Sequence, residues 1–573
     1  MSYDVEKIRK DFPILSTRVG EYPLTYLDSA NTSQKPQVVI DALSEHYARH
    51  NANVARAMHQ LGLESTQAYE GGRERIARFL GASRPEEVVA LSNASEALNL
   101  CAHTLGERLG PGDEVVISVM EHHSNLVPWQ LVCQRTGATL RWFDITDEGR
   151  LDLEKAEAEG LINEHTKVVS LTLASNVLGT INPIGMIAEQ AHAVGAVMVV
   201  DASQAVPQMP VDVSALGADL VAFTGHKMCG PTGIGILWGR YDLLAELPPF
   251  LGGGEMIEVV RMEGSTYAEP PHRFEAGTPP IAQLAALGVA ADYLDGIGME
   301  AIAEHEHELA ARMLEGLQTV KGVHVLGPID ATARTGTVSF TIEGVHPHDA
   351  MSLMDGHGVA VRGGHHCARP LHERLGIQSS LRASSYLYST ADEVDRLRRV
   401  RSELLCRRCR MNVEEMYQQI ILDHYREKHH SGLREDYNAE VTQVNPSCGD
   451  ELLLRVHLDG DVISDVSYDA LGCSISQAST SVMTDLVIGK TIDEAQELYR
   501  GFQEMMRSRG TIELDEDTYE DAIAFEGVAK LMARVKCAML GWSALEDGLL
   551  KATEKAPATA DAIAEKNETK EEG

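Results

Sequence analysis

Five short runs rich in β-branched residues constrain the fold of residues 85–240 more than any other feature of the chain. They read EVVISV, TKVVSLTLAS, AVMVVDAS, DLVAFTG and GIGILWG, and helix-like stretches separate them. Apolar runs arranged in this way are typical of a mainly parallel sheet that is covered on both faces by helices. In such sheets the chemistry gathers just past the carboxyl ends of the strands. The sequence therefore predicts an α/β domain with a functional site at that edge.

The length of 573 residues indicates several domains, because one hydrophobic core does not grow to this size. An arginine-rich stretch precedes Met411, and a new amphipathic helical pattern begins after it, which suggests an in-frame fusion of two gene products. The C-terminal segment lacks the large apolar side chains needed to order itself. We predict a large domain over 1–284, a small α+β domain over 285–405, a linker over 406–412, a separate α+β domain over 413–550 and a disordered tail over 551–573.

Cys406 and Cys409 form a Cys-x-x-Cys pair in the predicted linker. The spacing suits half of a zinc ribbon or a redox pair, but the sequence has no second closely spaced cysteine pair to complete a ribbon. A plain linker is the interpretation that we favour.

The charge balance excludes several classes of partner. There are 50 basic and 85 acidic side chains, giving a net charge of −35, which repels phosphate backbones and anionic lipid. The N-terminal residues lack the basic and apolar blocks of a signal peptide, and no apolar run reaches membrane length. Nine scattered cysteines favour thiol or metal chemistry in a reducing compartment. We expect a cytoplasmic protein with neither nucleic-acid nor membrane partners.

A carboxylate and a lysine follow successive predicted strands. Asp201 closes AVMVVDAS, and Lys227 follows DLVAFTG. An enzyme that uses pyridoxal 5′-phosphate needs a lysine to bind the cofactor and an acid to keep its pyridine nitrogen protonated. Ser95 precedes a predicted helix, whose N-terminus favours phosphate, and His123 offers a flat ring for stacking. A turn-capping Asp and an exposed Lys are the alternative, but the four motifs together favour a cofactor site.

The stretch VRGGHHCARP, residues 361–370, places Cys367 on a glycine-hinged loop. Cations beside a cysteine, here Arg362 among them, stabilise the nucleophilic thiolate. Two adjacent histidines point in different directions on a regular backbone, so they do not close one tetrahedral metal site with the cysteine. The stretch therefore favours a reactive thiol, with a metal site and a structural loop as alternatives.

These motifs resemble the signature blocks of the SUF-type (group II) cysteine desulfurases, which are class V aminotransferases of PLP fold type I. The resemblance covers residues 5 to 405 and rests on MEHHSNLVPWQ, ASNVLGT, VDASQAV, GHKMCGPTGIGIL, FLGGGEMI, RFEAGTP, RGGHHCA and LRASSYLYST. It implies a homodimeric enzyme that converts L-cysteine to L-alanine and keeps the sulfur as a persulfide on Cys367.

The same resemblance implies a role for individual residues. It makes Cys367, Lys227 and His123 catalytic, His123 both by stacking on the cofactor ring and as a proton carrier. The other implied residues are Asp201 at the pyridine nitrogen, Gln204 at the phenolic oxygen, Ser95, Thr224, His226 and (from the second subunit) Thr278 at the phosphate, and Asn176, Arg362 and Arg382 at the substrate.

The C-terminal part carries four residues that suit zinc. Cys448 and Asp450 lie in NPSCGDELLL, Cys473 in ALGCSISQAS and Cys537 in RVKCAMLGW. Three thiolates and one carboxylate from separate turns form a sufficient tetrahedral set for zinc. Buried, inert cysteines are the alternative.

Residues 413–550 resemble the SufU proteins through MYQQIILDHY, NPSCGD, GCSIS and KCA. Lys536 stands where related IscU scaffolds commonly have a histidine, and the extra segment YRGFQEMMRSRG is present, as in the SufU group. Both features favour a zinc-dependent sulfur acceptor over an iron–sulfur cluster scaffold. The resemblance also implies that His348 enters the zinc coordination and frees a thiol, most simply Cys473, to receive the sulfur. An ordinary surface histidine at 348 is the alternative.

The combined prediction is a desulfurase fused to its sulfur acceptor, supplying sulfur to downstream iron–sulfur assembly scaffold proteins. Fusion raises the effective concentration of acceptor near donor. Three alternatives remain at this point: a selenocysteine lyase, a plain class V aminotransferase that does not need Cys367, and a C-terminal domain that carries an iron–sulfur cluster as a scaffold.

Overall fold

The computed structural model describes residues 3–54, 58–404, 419–445 and 449–555. The chain divides into two compact units, one of residues 1–343 and 354–402 and the other of residues 344–353 and 403–573. The predicted linker, with Cys406 and Cys409, lies outside the described residues. Within the described part, every helix is too short or too polar to cross a membrane.

The first unit is built on a seven-stranded, mainly parallel sheet, which confirms the predicted fold class. Five neighbouring strands pair in parallel, and one strand near the edge pairs antiparallel with both of its neighbours. Each of the five predicted runs contains one of the strands. Across the sheet the order is Val88–Leu91, Gly235–Gly239 (the antiparallel strand), Leu220–Thr224, Val197–Asp201, Thr166–Thr172, Glu114–Ser118 and Thr139–Phe143.

Both faces of this sheet are buried. Successive side chains of a strand point to opposite faces, and here alternate residues belong to two different hydrophobic cores: Val199 packs in one and Val200 in the other. This explains why the strands read as continuous apolar runs rather than as an alternating pattern. The covering and connecting helices are Val5–Arg9, Gln37–Glu45, Gln60–Phe79, Ala94–Gly106, Val127–Thr136, Leu153–Ala158, Ile184–Ala193 and Tyr241–Glu246.

A smaller α+β region follows in the same unit. Its four-stranded antiparallel sheet has the order Val323–Leu326, Thr337–Ile342, Ser380–Ser384 and Arg362–Gly364. The domain boundary predicted at 284/285 falls inside the helix Ile281–Ile297, which packs against the large-domain helix Gln60–Phe79. The other helices of this region are Met299–Gln318, Arg369–Arg374 and Ala391–Leu404.

The second unit has a three-stranded antiparallel meander packed against helices. Its strands are Ala439–Val444, Glu451–Asp459 and Val462–Leu471. The core includes Trp542, whose ring stacks on Phe502 at 4.6 Å. The helices are Gln419–Glu427, Ser474–Val487, Ile492–Arg507, Glu516–Tyr519, Glu526–Ala529 and Met532–Lys555.

The last helix continues to Lys555, past the predicted start of the tail at 551, because Ala552 is still 4% exposed and packed. Residues 556–573 lie outside the described part. The unit also includes residues 344–353, which hold the first turns of the helix Pro347–Gly356.

Candidate active site and candidate metal centre

A cavity of about 230 Å³ opens in the first unit beside the carboxyl ends of the strands Val197–Asp201 and Leu220–Thr224. Ten of the twelve predicted residues of this site line it. They are Lys227, Asp201, Gln204, Ser95, Thr224, His226, Asn176, Arg362, Arg382 and Cys367.

Lys227 and Asp201 sit on the cavity wall for simple topological reasons. Asp201 is the last residue of its strand, and Lys227 lies in the turn Gly225–Lys227 that follows the neighbouring parallel strand. Burial lowers the pKa of Lys227 to about 8, although the Asp201 carboxylate opposes the shift. A lysine with this pKa has a substantial neutral fraction near pH 8, and the neutral amine is the nucleophilic form.

One end of the cavity offers donors for a phosphate. Ser95 lies in the first turn of the helix Ala94–Gly106, and its Oγ is 2.6 Å from Ser124 Oγ. Thr224 Oγ1 is buried and has no hydrogen-bond partner among the described residues. A helix N-terminus beside an unpartnered hydroxyl suits an anion.

Two adjacent histidines lie beside the cavity, and His122 is the one that lines it. Burial, and then the charge of Lys227, lowers the pKa of His122 to about 3, so its ring is neutral. Consecutive residues of a turn point in different directions, and the motif MEHH does not reveal which of the two contacts a cofactor. The predicted stacking of His123 on the cofactor ring stays a prediction.

His123 holds the cysteine loop. Its backbone N–H donates to the carbonyl of Cys367 at 2.7 Å, and its Nε2 accepts from the backbone N–H of Arg369 at 3.2 Å. Burial lowers the pKa of His123, as do the neighbouring cations. The roles of His123 in stacking on the cofactor and as a proton carrier both stay predictions.

The cysteine loop has an unusual backbone. His366 and Cys367 both have positive φ, 52° and 58°, a conformation that non-glycine residues adopt only when the surroundings hold them there. Asn176 supplies one such constraint, because its Nδ2 donates to the carbonyl of His366 at 2.7 Å. The His366 ring points toward Ser380, with Nε2 3.1 Å from Ser380 Oγ, and the histidine–cysteine metal site therefore finds no support. Cys367 is half-buried at the cavity wall.

Two arginines converge on the cavity near Cys367. Arg382 is 1% exposed; it donates to the carbonyl of Asn176 at 2.9 Å and pairs with Asp28 at 3.3 Å. Burial lowers the pKa of Arg382 to about 10, so it stays charged at neutral pH. Arg362 hydrogen-bonds to Asn31. This pair of cations is suited to bind a carboxylate.

Thr278 is exposed and is not part of the cavity lining. Its predicted contact belongs to a second subunit, so it stays a prediction.

The second unit brings together three of the four predicted zinc ligands. Asp450, Cys473 and Cys537 are fully buried, and one ligand atom of each lies within 4.8 Å of the others. Asp450 Oδ1 accepts from the backbone N–H of Cys473 at 3.2 Å, while Oδ2 has no hydrogen-bond partner among the described residues. Cys448 lies outside the described residues. Two thiols and a buried, unpartnered carboxylate oxygen fit zinc.

The segment 344–353 lies beside this cluster within the second unit. His346 Nε2 is 3.8 Å from Asp450 Oδ1. His348 is 6% exposed, and its Nδ1 has no hydrogen-bond partner among the described residues. Asp349 accepts from Ser474 Oγ at 3.2 Å, next to Cys473. Sequence reasoning named only His348, although the pattern HPHD also contains His346.

Comparison with known proteins agrees with this geometry. Residues 25–397 match the family model of class-V aminotransferases, and residues 416–555 match that of the NifU-like N-terminal domain. A probable cysteine desulfurase of Streptomyces coelicolor is 56% identical over 400 residues, which cover 69% of this chain and 95% of that protein. The cysteine desulfurase of Haloferax volcanii is 47% identical over 408 residues, with 69% and 95% covered.

Solved structures give the same result. The apo cysteine desulfurase from Thermococcus onnurineus NA1 is similar with a TM-score of 0.66 and 40% identity, covering 70% of this chain and 98% of that one. The cysteine desulfurase CsdA from Escherichia coli has a TM-score of 0.65 and 34% identity, covering 71% and 99%. The chain belongs to the class-V aminotransferase family, among its cysteine desulfurases, and carries a NifU-like N-terminal domain after the desulfurase part.

Proposed function

We propose that this chain converts L-cysteine to L-alanine and holds the released sulfur as a persulfide on Cys367. The observation that carries the proposal is the cavity wall, where Lys227, Cys367 and Arg382 come together. An amine, a thiol and a carboxylate-binding cation are the three groups that this reaction requires.

The residues of the cavity fit pyridoxal 5′-phosphate. Lys227 would hold it through its amine, Asp201 would keep its pyridine nitrogen protonated, and the buried hydroxyl of Thr224 would gain a partner in its phosphate. We retain His123 as the predicted ring contact and add His122, whose neutral imidazole lines the cavity, as a second candidate. When bound, the cofactor supplies an electron sink next to the substrate carbon.

Each side chain of the site has its own role in the proposed reaction. Arg382 binds the substrate carboxylate and so orients the amino acid. The Cys367 thiolate attacks the substrate sulfur: an S–S bond forms, the substrate Cβ–S bond breaks, and its electron pair remains on the carbon side. Protonation at Cβ completes alanine, and the sulfur stays on Cys367. His123 and Asn176 hold the strained backbone of the loop, and this sets the position of the Cys367 thiol before it attacks.

The experiment is alanine formation from L-cysteine by the wild type, by Cys367→Ser and by the control Cys133→Ser, whose thiol lies on the helix Val127–Thr136. We expect Cys367→Ser to lose at least about 100-fold in turnover while keeping the absorbance of the bound cofactor, and the control to keep its activity. Full turnover by Cys367→Ser would instead support a plain aminotransferase. Alanine release from L-selenocysteine alone would support a lyase.

We also propose that the sulfur passes from Cys367 to a thiol of a zinc centre formed by Asp450, Cys473, Cys537 and Cys448. In this step the acceptor thiolate attacks the outer sulfur, the S–S bond to Cys367 breaks, and Cys367 leaves as a thiolate. No oxidant is required. Because Cys473 is fully buried, it must become exposed before it can react.

The segment 344–353 supports such a ligand exchange. His348 has a buried, unpartnered nitrogen, and His346 lies 3.8 Å from Asp450. Either imidazole suits zinc as a replacement ligand. We retain His348 as the predicted ligand and add His346 as a second candidate.

Sulfur transfer is tested by pairing each histidine variant with a control. We expect His346→Gln and His348→Gln to keep alanine formation in the presence of a thiol reductant, and at least one of them to lower persulfide on the second unit about tenfold. His457→Gln, in the same unit, should have no effect. Transfer at the wild-type level in both variants would exclude the ligand exchange. Bound iron with visible cluster absorbance, instead of zinc, would support the scaffold alternative.

A homodimer with Thr278 acting across subunits completes the proposal. Lys227→Ala and Thr278→Val each remove one contribution to a site. If Thr278 acts in the opposite subunit, mixed dimers of the two variants regain one intact site. Mixed dimers as inactive as both parents would show that Thr278 serves its own chain or none.

A further inference from the structure

The second unit has another cluster of ligand-type side chains that the sulfur chemistry does not use. One ligand atom each of His424, His429 and Asp485 lies within 4.8 Å of the others. His424 is on the helix Gln419–Glu427, His429 follows that helix, and Asp485 is on the helix Ser474–Val487. We propose that these three side chains form a second divalent-cation site of the zinc class, separate from the cysteine cluster.

The hydrogen bonds of His424 show which of its ring nitrogens carries the proton and which is an acceptor. Its Nε2 is 3.0 Å from Asp521 Oδ2, so this nitrogen carries the ring proton. Ser481 Oγ accepts from the backbone N–H of His429 at 2.9 Å and lies 2.9 Å from His424 Nδ1. Nδ1 is therefore an acceptor, here of the Ser481 hydroxyl, and it lies 3.9 Å from Asp485 Oδ2. A cation bound to Nδ1 would take the place of that hydroxyl.

His429 has the same arrangement. Its Nε2 is 2.9 Å from Glu427 Oε2, and its Nδ1 is 2.5 Å from Asp485 Oδ2. Metal-binding histidines usually donate their other ring N–H to a carboxylate, which fixes the tautomer and the ring orientation. Both imidazoles follow this rule, with Asp521 and Glu427 as the outer carboxylates and both Nδ1 atoms facing Asp485.

Without a metal, His429 lies between two carboxylates, which raise its pKa. A cation would occupy the position of the hydrogen bond between His429 Nδ1 and Asp485 Oδ2. Two imidazoles and a carboxylate favour zinc, cobalt or nickel over magnesium or calcium, which prefer all-oxygen sites.

The site has access to solvent. His424 is buried, whereas the side chains of His429 and Asp485 are 36% and 33% exposed. His430 Nε2 is 3.3 Å from Asp485 Oδ1 and Nδ1 is 3.7 Å from Asp465, so His430 or water completes the coordination.

The location suggests a structural role. Asp485 lies twelve residues after Cys473, the N-cap of the same helix. Since an α-helix rises 1.5 Å per residue, the two residues are about 18 Å apart along the helix axis. A cation here therefore does not share ligands with the cysteine cluster. It would hold the helix Gln419–Glu427 and the turn that follows it to the helix Ser474–Val487.

The test counts zinc in the untagged full-length chain after chelation and reloading. We expect two zinc ions per wild-type chain and one in His429→Gln and in Asp485→Asn. Cys537→Ser should also bind one, and the control His457→Gln should bind two. Cobalt loaded into Cys537→Ser should give a spectrum without thiolate charge-transfer bands, because the remaining ligands are nitrogen and oxygen.

The outcomes are distinguishable. One zinc in the wild type that is lost in Cys537→Ser and kept in His429→Gln would overturn the inference and leave the cluster as an ion-pair network. One zinc that is kept in Cys537→Ser and lost in His429→Gln would support the inference while refuting zinc at the cysteines. A wild-type count of two supports the inference even where a variant fails to fold, and a count of one is assigned by whether Asp485→Asn or Cys537→Ser keeps it.

Discussion

Replacing Arg73 by Met should destabilise the first unit strongly, because a fully buried ion pair joins the helix Gln60–Phe79 to the motif RFEAGTP. Arg73 Nη1 and Nη2 contact the two oxygens of Glu275 at 2.7 and 2.9 Å, and both side chains are at most 3% exposed. The carboxylate also accepts from Tyr69 OH at 2.9 Å and from the backbone N–H of Ala90 at 2.7 Å. Removing the arginine leaves a buried charge without its counter-ion.

The loss of unfolding free energy in Arg73→Met can be worked out in two ways. Removing one partner of a buried pair costs about 3–5 kcal/mol. Burial alone would raise the pKa of Glu275, but Arg73 and the hydrogen bonds lower it from 4.5 to about 2, which corresponds to about 3 kcal/mol. Because this pKa is depressed in the folded state, the contribution is fully present above about pH 4.5 and is lost as the pH falls toward 2.

The assay is urea unfolding at neutral pH followed by tryptophan fluorescence. Three of the four tryptophans, Trp129, Trp142 and Trp238, belong to the first unit. The matched control is Arg78→Met on the same helix, whose ion pair with Asp292 is exposed and should be worth less than about 1 kcal/mol. A cost for Arg73→Met no greater than that for Arg78→Met would refute the reasoning.

Three further predictions concern the cavity. Because the pKa of Lys227 is about 8, covalent capture of pyridoxal phosphate by the apo-protein should speed up about tenfold between pH 7 and 9 and then level off; stopped-flow absorbance that still rises above pH 9 would contradict this. Arg382→Met should lower kcat/KM for L-cysteine at least about 100-fold, since charge-assisted hydrogen bonds contribute about 1.5–3 kcal/mol each. The control Arg374→Met, at an exposed position, should change kcat/KM little. Equal effects of the two substitutions would argue against carboxylate binding by Arg382. Gly235→Ala should weaken cofactor retention in equilibrium dialysis, because a Cβ at this position would lie 2.2 Å from the backbone of Asn93, which directly precedes the helix Ala94–Gly106. The control is Gly185→Ala, whose Cβ would meet nothing closer than 3.9 Å. Equal retention of the cofactor by both variants would contradict the prediction.

Much of this site could be predicted from the sequence, because strand ends are marked in the chain. Asp201 and Lys227 each follow a buried apolar run, and the parallel pairing of the two strands brings them to one edge. The sequence does not show which of His122 and His123 contacts the cofactor, because neighbouring residues of a turn differ in direction, not in type; of the two, His122 lines the cavity. The helix Ile281–Ile297 is apolar on most of its surface, and its pattern does not show which domain it packs against.

The second unit was less predictable for a different reason. Its two clusters of possible metal ligands bring together residues that are far apart in the chain, such as His346 with Asp450 and His424 with Asp485. Cysteines are rare enough that Cys473 and Cys537 stand out in the sequence as candidate ligands, and the structure brings them together. Histidines and aspartates are common, and only the packing of the helix Gln419–Glu427 against Ser474–Val487 reveals which of them meet.

The most direct test of the central claim is a time-resolved mass spectrum of persulfides trapped after L-cysteine is added to the holoenzyme without reductant. We predict that an added sulfur appears first on the peptide with Cys367 and then on a peptide with Cys448, Cys473 or Cys537, and that neither appears in Cys367→Ser. Sulfur on the second unit of Cys367→Ser, or alanine formed while Cys367 stays unmodified, would contradict it.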